Sequence, residues 1–198
     1  MKSRFLAAIV ATVSLLAVTS DVLAASNNPM DPEERFSGGN PIGRLFGFSS
    51  SPVPRETVNF ANASYRPGTI VISTKERRLY LVQEGGRALR YGIGVGRPGF
   101  TWSGVKTITA KKEWPSWTPP AQMLKRRPDL PRFMPGGPDN PLGARAMYLG
   151  SSLYRIHGSN EPETIGQAVS SGCFRLTNED VIDLYSRVRV GAKVVVLR

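Results

Sequence analysis

The feature that most constrains the fold is a series of short β-rich segments separated by turn residues, which begins near Arg66. Its first part reads GTIVISTKERRLYLVQEGGRALRYGIGVG, and the pair Gly85-Gly86 within it predicts a hairpin. Many short strands with frequent turns are typical of a β-sandwich or barrel-like sheet, so we expect a mainly β domain. The predicted strands cover residues 69–73, 78–83, 88–95, 106–111, 146–150, 153–157 and 193–197.

One segment near the carboxyl end has helical rather than strand periodicity. Thr177 followed by Asp180 resembles a capping box, which favours a helix start at this point. Gly191 stands where such a helix would end. The apolar residues that repeat at helical spacing between these positions are Val181, Leu184, Tyr185 and Val188. The sequence therefore predicts a short C-terminal helix packed on the sheet.

A long proline-rich segment interrupts the strand pattern. Half of the chain's 16 prolines lie between Pro115 and Pro141, and Trp114 and Trp117 lie in the same region. A connection of this length without strands is usually functional or disordered, and the tryptophans argue against disorder. We expect an ordered flap that covers a groove, with a purely packing role as the alternative.

The first residues indicate export. A basic start and an apolar run precede a small-residue pattern at residues 22–24, which is typical of a cleaved secretory signal peptide. An uncleaved anchor is the alternative, although a spanning helix needs about 20 apolar residues. The chain has no cysteine at the cleavage point to carry a lipid. We expect a signal peptide at 1–24, a flexible linker rich in Asn, Pro, Ser and Gly at 25–65, and a folded domain at 66–198.

The charge of the chain is strongly basic. The net charge is +11, and removal of residues 1–24 leaves +10. In an exported protein this charge favours contact with an anionic envelope polymer, membrane surface or acidic peptide over nucleic acid. Basic charge also serves solubility alone, so it is a weak indication of a partner.

The chain has a single cysteine and a single histidine, Cys173 and His157. One cysteine cannot form an internal disulfide, so in an exported protein it is a functional thiol, an intermolecular link or an inert buried residue. A histidine within hydrogen-bond reach can take the thiol proton or hold the thiolate as an ion pair. The pair is therefore the minimum set of groups for a thiol nucleophile.

The neighbours of both residues favour catalysis. Gly158 and Gly172 allow the backbone to approach a substrate closely, and N–H groups around Cys173 would stabilise an oxyanion. If residues 173–175 are extended, Arg175 faces the same side as the thiol and would bind a carboxylate in bidentate fashion. The alternative for Arg175 is a surface ion pair with Glu179 or Asp180.

The motif HG, then about a dozen residues, then SxGCxR with a following helix and strand, resembles the signature of the YkuD family of L,D-transpeptidases. The resemblance covers residues 66–198 and implies that they form an L,D-transpeptidase catalytic domain. It implies that Cys173 is the nucleophile, His157 its base and the Gly158 carbonyl the group that orients the imidazole. Arg175 would bind a carboxylate of a diaminopimelate-bearing stem peptide, and no metal or cofactor is implied. Many family members have a histidine where this chain has Ser171.

These features predict a periplasmic or wall-facing enzyme that acts on peptidoglycan. It would form a thioester with a wall stem tetrapeptide and pass the acyl group to an amine on a neighbouring stem, with an anchored envelope protein as an alternative acceptor. There are three rival functions. The first is transfer of the same acyl group to water, as in a carboxypeptidase. The others are a non-catalytic wall-binding module and a thiol redox protein. The predicted substrate-binding residues are Arg175, Ser170, Ser171, Gly172 and Trp117.

Overall fold

A computed structural model of the protein describes residues 51–198, so the predicted signal peptide and residues 25–50 of the predicted linker lie outside the described residues. The described chain is mainly β, as predicted. Its strands are β1 (Glu56–Asn59), β2 (Ile70–Ser73), β3 (Arg78–Gln83), β4 (Arg87–Gly92), β5 (Val95–Gly96), β6 (Gly104–Glu113), β7 (Arg145–Leu149), β8 (Arg155–His157), β9 (Ala168–Ser170), β10 (Phe174–Arg175) and β11 (Lys193–Leu197). Its helices are α1 (Ala121–Arg126) and α2 (Asn178–Arg187), with a 3₁₀ turn at Pro162–Thr164.

Nine of these strands form one curled sheet in the order β1-β4-β3-β2-β11-β6-β7-β8-β10, and β5 and β9 form a separate pair. Most neighbours are antiparallel, but β11 with β2, β10 with β8, and β5 with β9 are parallel. Parallel neighbours need long connections, so these three pairings join distant parts of the chain. The pairing of β10 with β8 is the one that builds the site.

The predicted hairpin forms between β3 and β4. Gly85 and Gly86 both have positive φ, at 70° and 67°. Such angles are readily adopted only by glycine, so the two residues allow the tight reversal that the sequence predicts. The two strands pair from Arg78 with Gly92 to Gln83 with Arg87.

Helix α2 begins as its sequence predicts. The Thr177 hydroxyl accepts a hydrogen bond from the Asp180 N–H at 3.2 Å, which caps the first turn. Val181 and Leu184 are buried against the sheet, where they join the core formed mainly by β2, β3, β4, β7 and β11. The helix thus fixes the segment that follows β10.

The structure corrects the predicted linker boundary and one strand. Strand β1 lies within the segment assigned to the linker and pairs with β4. Arg55, just before it, forms an ion pair with Asp180 at 3.0 Å, so the ordered fold starts upstream of Arg66. The strand predicted over 88–95 is divided, because the chain leaves β3 after Gly92 and then pairs with β9. Among residues 51–198, no helix is both long and apolar enough to cross a membrane.

Candidate active site

Two short parallel strands bring the predicted catalytic residues together. In β8 and β10, Ile156 lies opposite Phe174 and both are buried in the core. Because side chains alternate along a strand, the residues on either side of this pair share the opposite face. These residues are Arg155, His157, Cys173 and Arg175, and all four line one cavity of about 400 Å³. We call this face, with these four residues, the site wall.

The tautomer of His157 is fixed by its own neighbour. The imidazole is buried, with 4% of the residue exposed, and Nδ1 lies 2.6 Å from the Gly158 carbonyl oxygen. A carbonyl only accepts hydrogen bonds, so Nδ1 carries the proton and Nε2 has a free lone pair. Gly158 cannot be replaced freely, because a Cβ there would collide with Asn178 Oδ1.

The thiol and the imidazole are both neutral near pH 7. Burial lowers the pKa of His157 to about 3, and the charges of Arg175 and Arg155 act in the same direction. Burial also raises the pKa of Cys173, although Arg155 and Arg175 oppose this shift. The sequence left open whether the two residues form an ion pair, and these shifts favour a neutral thiol beside a neutral base.

The turn before Cys173 is held by a buried serine. The Ser170 hydroxyl donates to the Cys173 carbonyl at 2.6 Å and accepts from the Gly172 N–H at 3.1 Å. The Gly172 N–H is therefore engaged inside the turn and is not one of the free N–H groups expected around an oxyanion. The half-buried thiol lies 3.7 Å from the Leu153 carbonyl oxygen.

Gly172 needs both its conformation and its small size. Its φ is +107°, and a Cβ would lie 2.6 Å from the Tyr154 ring. Its carbonyl accepts a hydrogen bond from Trp102 Nε1 at 2.8 Å, and the Trp102 ring stacks on Tyr154 with centroids 4.6 Å apart. The aromatic pair therefore supports the turn that carries the thiol.

Ser171 faces the cavity and is bound to Arg97. The Arg97 Nη1 donates to the Ser171 hydroxyl at 3.3 Å, and the Arg97 N–H donates to the Ser170 carbonyl at 3.0 Å. The same guanidinium stacks over the Phe100 ring at 4.2 Å. Ser171 is thus linked to the loop that follows β5.

Arg175 pairs with an acid that the sequence did not indicate. Its Nη1 lies 2.8 Å from Glu161 Oε2, whereas Asp180 is bound by Arg55. The alternative of a surface pair between Arg175 and Glu179 or Asp180 is therefore not the arrangement in the structure, where the partner is Glu161. The Glu161 side chain is 52% exposed, so a carboxylate entering the cavity can replace it at little cost.

The proline-rich segment at residues 114–141, the flap, lies over the same cavity. Trp117, Met123 and Arg126 line it. Two backbone hydrogen bonds of 2.8 Å join Trp117 to Met134, which closes the segment into a loop that includes α1. Trp114 does not line the cavity. The expectation of a flap over a groove therefore applies to Trp117 but not to Trp114.

The family model of the L,D-transpeptidase catalytic domain, YkuD, matches residues 67–196. This chain belongs to that family. The match covers the sheet from β2 to β11 and includes the whole site wall.

Two relatives of this L,D-transpeptidase domain carry different names and are covered to different extents. The probable L,D-transpeptidase ErfK/SrfK of Escherichia coli is 40% identical over 137 residues, which are 65% of this chain and 43% of that protein. The chain thus spans less than half the length of this relative. A solved structure of a probable carnitine operon oxidoreductase from Brucella melitensis is 49% identical, covers 75% of this chain and 96% of that chain, and has a TM-score of 0.50.

A more distant solved structure supports the fold alone. L,D-transpeptidase 3 from Mycobacterium tuberculosis is 18% identical, covers 66% of this chain and 60% of that chain, and superposes with a TM-score of 0.54. The mainly β architecture with a C-terminal helix is therefore that of an L,D-transpeptidase domain.

Arg155 is a member of the site that the sequence did not indicate. The structure brings together every residue predicted for the site, since His157, Ser170, Ser171, Cys173, Arg175 and Trp117 all line the cavity and Gly158 and Gly172 adjoin it. Arg155 stands two residues before His157, as Arg175 stands two residues after Cys173. This two-residue spacing could have indicated that Arg155 shares a face with His157. It indicates a place in the site only once β8 and β10 are known to pair.

Proposed function

We propose that this L,D-transpeptidase domain acts on peptidoglycan and uses Cys173 as its nucleophile. The acyl group of a wall stem tetrapeptide would pass first to the thiol and then to an amine. The observation that carries the proposal is the site wall itself, where a neutral thiol and an imidazole with a free Nε2 face one cavity. A thiol of raised pKa reacts only if a base removes its proton during attack.

In the first half of the reaction, Cys173 Sγ attacks the carbonyl carbon of the bond between the L-centre and D-alanine, and His157 Nε2 takes the thiol proton. The imidazolium then gives this proton to the leaving amine as the C–N bond breaks, which leaves a thioester. In the second half, the nitrogen of the acceptor amine attacks the thioester carbonyl carbon while His157 Nε2 takes a proton from that amine. The proton returns to sulfur as the C–S bond breaks.

The other predicted residues orient these groups. The Gly158 carbonyl holds the imidazole in the reactive tautomer, and the bonds of Ser170 within the turn, with the shape of Gly172, fix the position of the thiol. Arg175 would exchange Glu161 for a carboxylate of the diaminopimelate residue. Ser171 and Trp117 both line the cavity and would contact the stem peptide there.

We further propose that the protein works in the periplasm or facing the wall. The sequence pattern at residues 1–24 supports export, and residues 51–198 carry 22 Lys and Arg against 11 Asp and Glu. This excess of positive charge favours a carboxylate-rich wall polymer as partner. An envelope protein with an exposed amine is the alternative acceptor.

Three rival functions give the sulfur a different role. Transfer of the same acyl group to water would make the protein an L,D-carboxypeptidase. A thiol redox protein that exchanges a dithiol for a disulfide requires two sulfurs, and this chain has one cysteine. A non-catalytic wall-binding module has no use for a thiol beside an oriented base.

The decisive experiment is mass spectrometry of purified wall tetrapeptides after incubation with the protein, with Cys173→Ala as the control. A cross-linked peptide together with an acyl adduct on the protein supports the proposal. A trimmed tripeptide without cross-links identifies the carboxypeptidase. Unchanged peptides with correctly folded protein would contradict both enzymatic assignments.

A further inference from the structure

Arg155 occupies the site wall beside the thiol, although no sequence motif selects it. Its Nη1 donates to the Leu153 carbonyl at 3.1 Å, the same oxygen that Cys173 Sγ approaches at 3.7 Å. Its guanidinium lies over the Tyr148 ring at 5.1 Å from the centroid. The hydrogen bond to Leu153 and the packing on Tyr148 therefore hold the guanidinium close to the sulfur.

Two Nε atoms of the site wall, those of Arg155 and Arg175, are buried and have no hydrogen-bond partner among the described residues. Arg175 has an acid bound at its Nη1, whereas the guanidinium of Arg155 has no ion-pair partner among the described residues and lies beside the carbonyl that Cys173 Sγ approaches. An unpaired buried donor is costly, and such groups in native structures call for an explanation. Packing on Tyr148 does not supply one, because stacking uses the face of the guanidinium and leaves its N–H groups unpaired.

The charged and titratable groups that face the thiol come from three elements and a loop. Strand β8 supplies Arg155 and His157 and strand β10 supplies Arg175, while Arg126 from α1 and Tyr154 line the same cavity. No acid is among the described residues that line this cavity, and Glu161 reaches the site wall only through its ion pair with Arg175. Of the arginines, Arg155 opposes the burial-induced rise in the pKa of Cys173 more than Arg175 does.

We propose that Arg155 stabilises the Cys173 thiolate, with its charge and its unpaired Nε–H directed at the negative charge that appears on sulfur when His157 takes the proton. The inference rests on the proposed role of Cys173 as nucleophile. A donor that is unpaired in the resting state and paired in the charged state stabilises the charged state selectively. Arg155 also disfavours protonation of His157, but this is the weakest influence on that imidazole.

The test is the pH dependence of alkylation of Cys173 by iodoacetamide, followed by intact-mass measurement. Arg155→Gln is expected to move the midpoint of the rate profile upward by about one pH unit, which is about a tenfold loss of thiolate below the midpoint. Arg155→Lys keeps a charge but loses Nε, so its midpoint should lie between those of the wild type and of Arg155→Gln.

The control is Arg90→Gln, which removes a partly buried arginine from β4, where it pairs with Glu56 far from the thiol. Its midpoint should equal that of the wild type. A wild-type midpoint in a folded Arg155→Gln protein would overturn the proposal and leave Arg155 a packing role on Tyr148. If Arg155→Gln does not fold, Arg155→Lys decides in the same way.

Alkylation needs no peptide substrate, so this result is separate from the proposed function. A protein that shows the shift but leaves wall peptides unchanged would contradict transpeptidation and retain the role of Arg155. A protein that cross-links peptides but shows no shift in the alkylation midpoint would support transpeptidation and overturn the role of Arg155.

Discussion

The site wall and the flap line the same cavity but are held in place by different interactions. The wall stands on paired strands whose other face, with Ile156 and Phe174, is part of the buried core. The flap is held by the backbone pair between Trp117 and Met134, by its ends and by stacking of Arg126 on Phe100 at 5.2 Å. A displaced wall residue must disturb the core, whereas the flap can shift without doing so.

This difference separates two tasks of an acyl transferase. Reacting groups need positions fixed to a fraction of an ångström, because small misplacements are costly in rate. A cover over the substrate must instead let a bulky peptide enter and leave. We therefore expect substitutions in the wall to act on the chemical step and substitutions in the flap to act on substrate binding.

The largest expected effect is that of Cys173→Ala. Acyl transfer should be abolished, because no other cysteine is present to form the thioester. The fold should persist, since the thiol makes only a weak contact with the Leu153 carbonyl. Peptide turnover by mass spectrometry and thermal unfolding check the two statements, and near-normal turnover would break the assignment of the wall.

The next effect is that of His157→Gln, which should reduce turnover by about 10²–10⁴-fold through loss of the general base. The wild-type pKa of about 3 means that the imidazole stays unprotonated, and able to act as a base, down to that pH. The rate should therefore show no acid limb near pH 6.5. A limb at that position in the wild type would show that the imidazole is less buried than in this structure.

The lowered pKa of His157 also makes the free energy of unfolding depend on pH. The folded state excludes a proton that the unfolded chain takes up between about pH 6.5 and 3, so the free energy of unfolding falls as the pH drops through this window. The difference between wild type and His157→Gln should change by roughly 1.4 kcal/mol per pH unit there. Denaturant titrations at several pH values measure it, and a constant difference would contradict the shift.

A smaller loss, about tenfold in turnover of stem peptide, is expected for Arg175→Lys, because the ammonium keeps the charge but loses the planar fork. Alkylation of Cys173 should stay nearly normal. The matched variant is Glu161→Gln, which frees the guanidinium and should lower KM. Unchanged turnover in Arg175→Lys would return Arg175 to a structural role.

The smallest effect is expected in the flap. Trp117→Ala should raise KM severalfold with little change in kcat, because Trp117 lines the cavity without touching the wall's hydrogen bonds. Phe133→Ala is the control, since Phe133 lies in the flap but is 59% exposed and outside the cavity. Equal losses of stability and activity in Trp117→Ala would favour a packing role and remove the contrast between flap and wall.

The sequence was sufficient where structure depends on near neighbours. The bounds of β3 and β11 match their predictions, and so do the Gly85-Gly86 turn and the Thr177 cap. The motif also selected Cys173, His157 and Gly158, because it records them in a fixed order, and the structure brings the thiol and the imidazole to one cavity, with the imidazole bound to the Gly158 carbonyl. Periodicity, turn residues and caps act over a few residues, so the sequence displays them directly.

Tertiary structure decided the features that depend on residues far apart in the chain. Strand β10 has two residues and exists because β8 and Gly94 pair with it, so no local pattern predicts it. The same is true of β1 in the predicted linker, of Glu161 as the partner of Arg175, and of Arg155 in the wall. Burial likewise sets the pKa values of His157 and Cys173, because desolvation depends on the assembled core rather than on sequence neighbours.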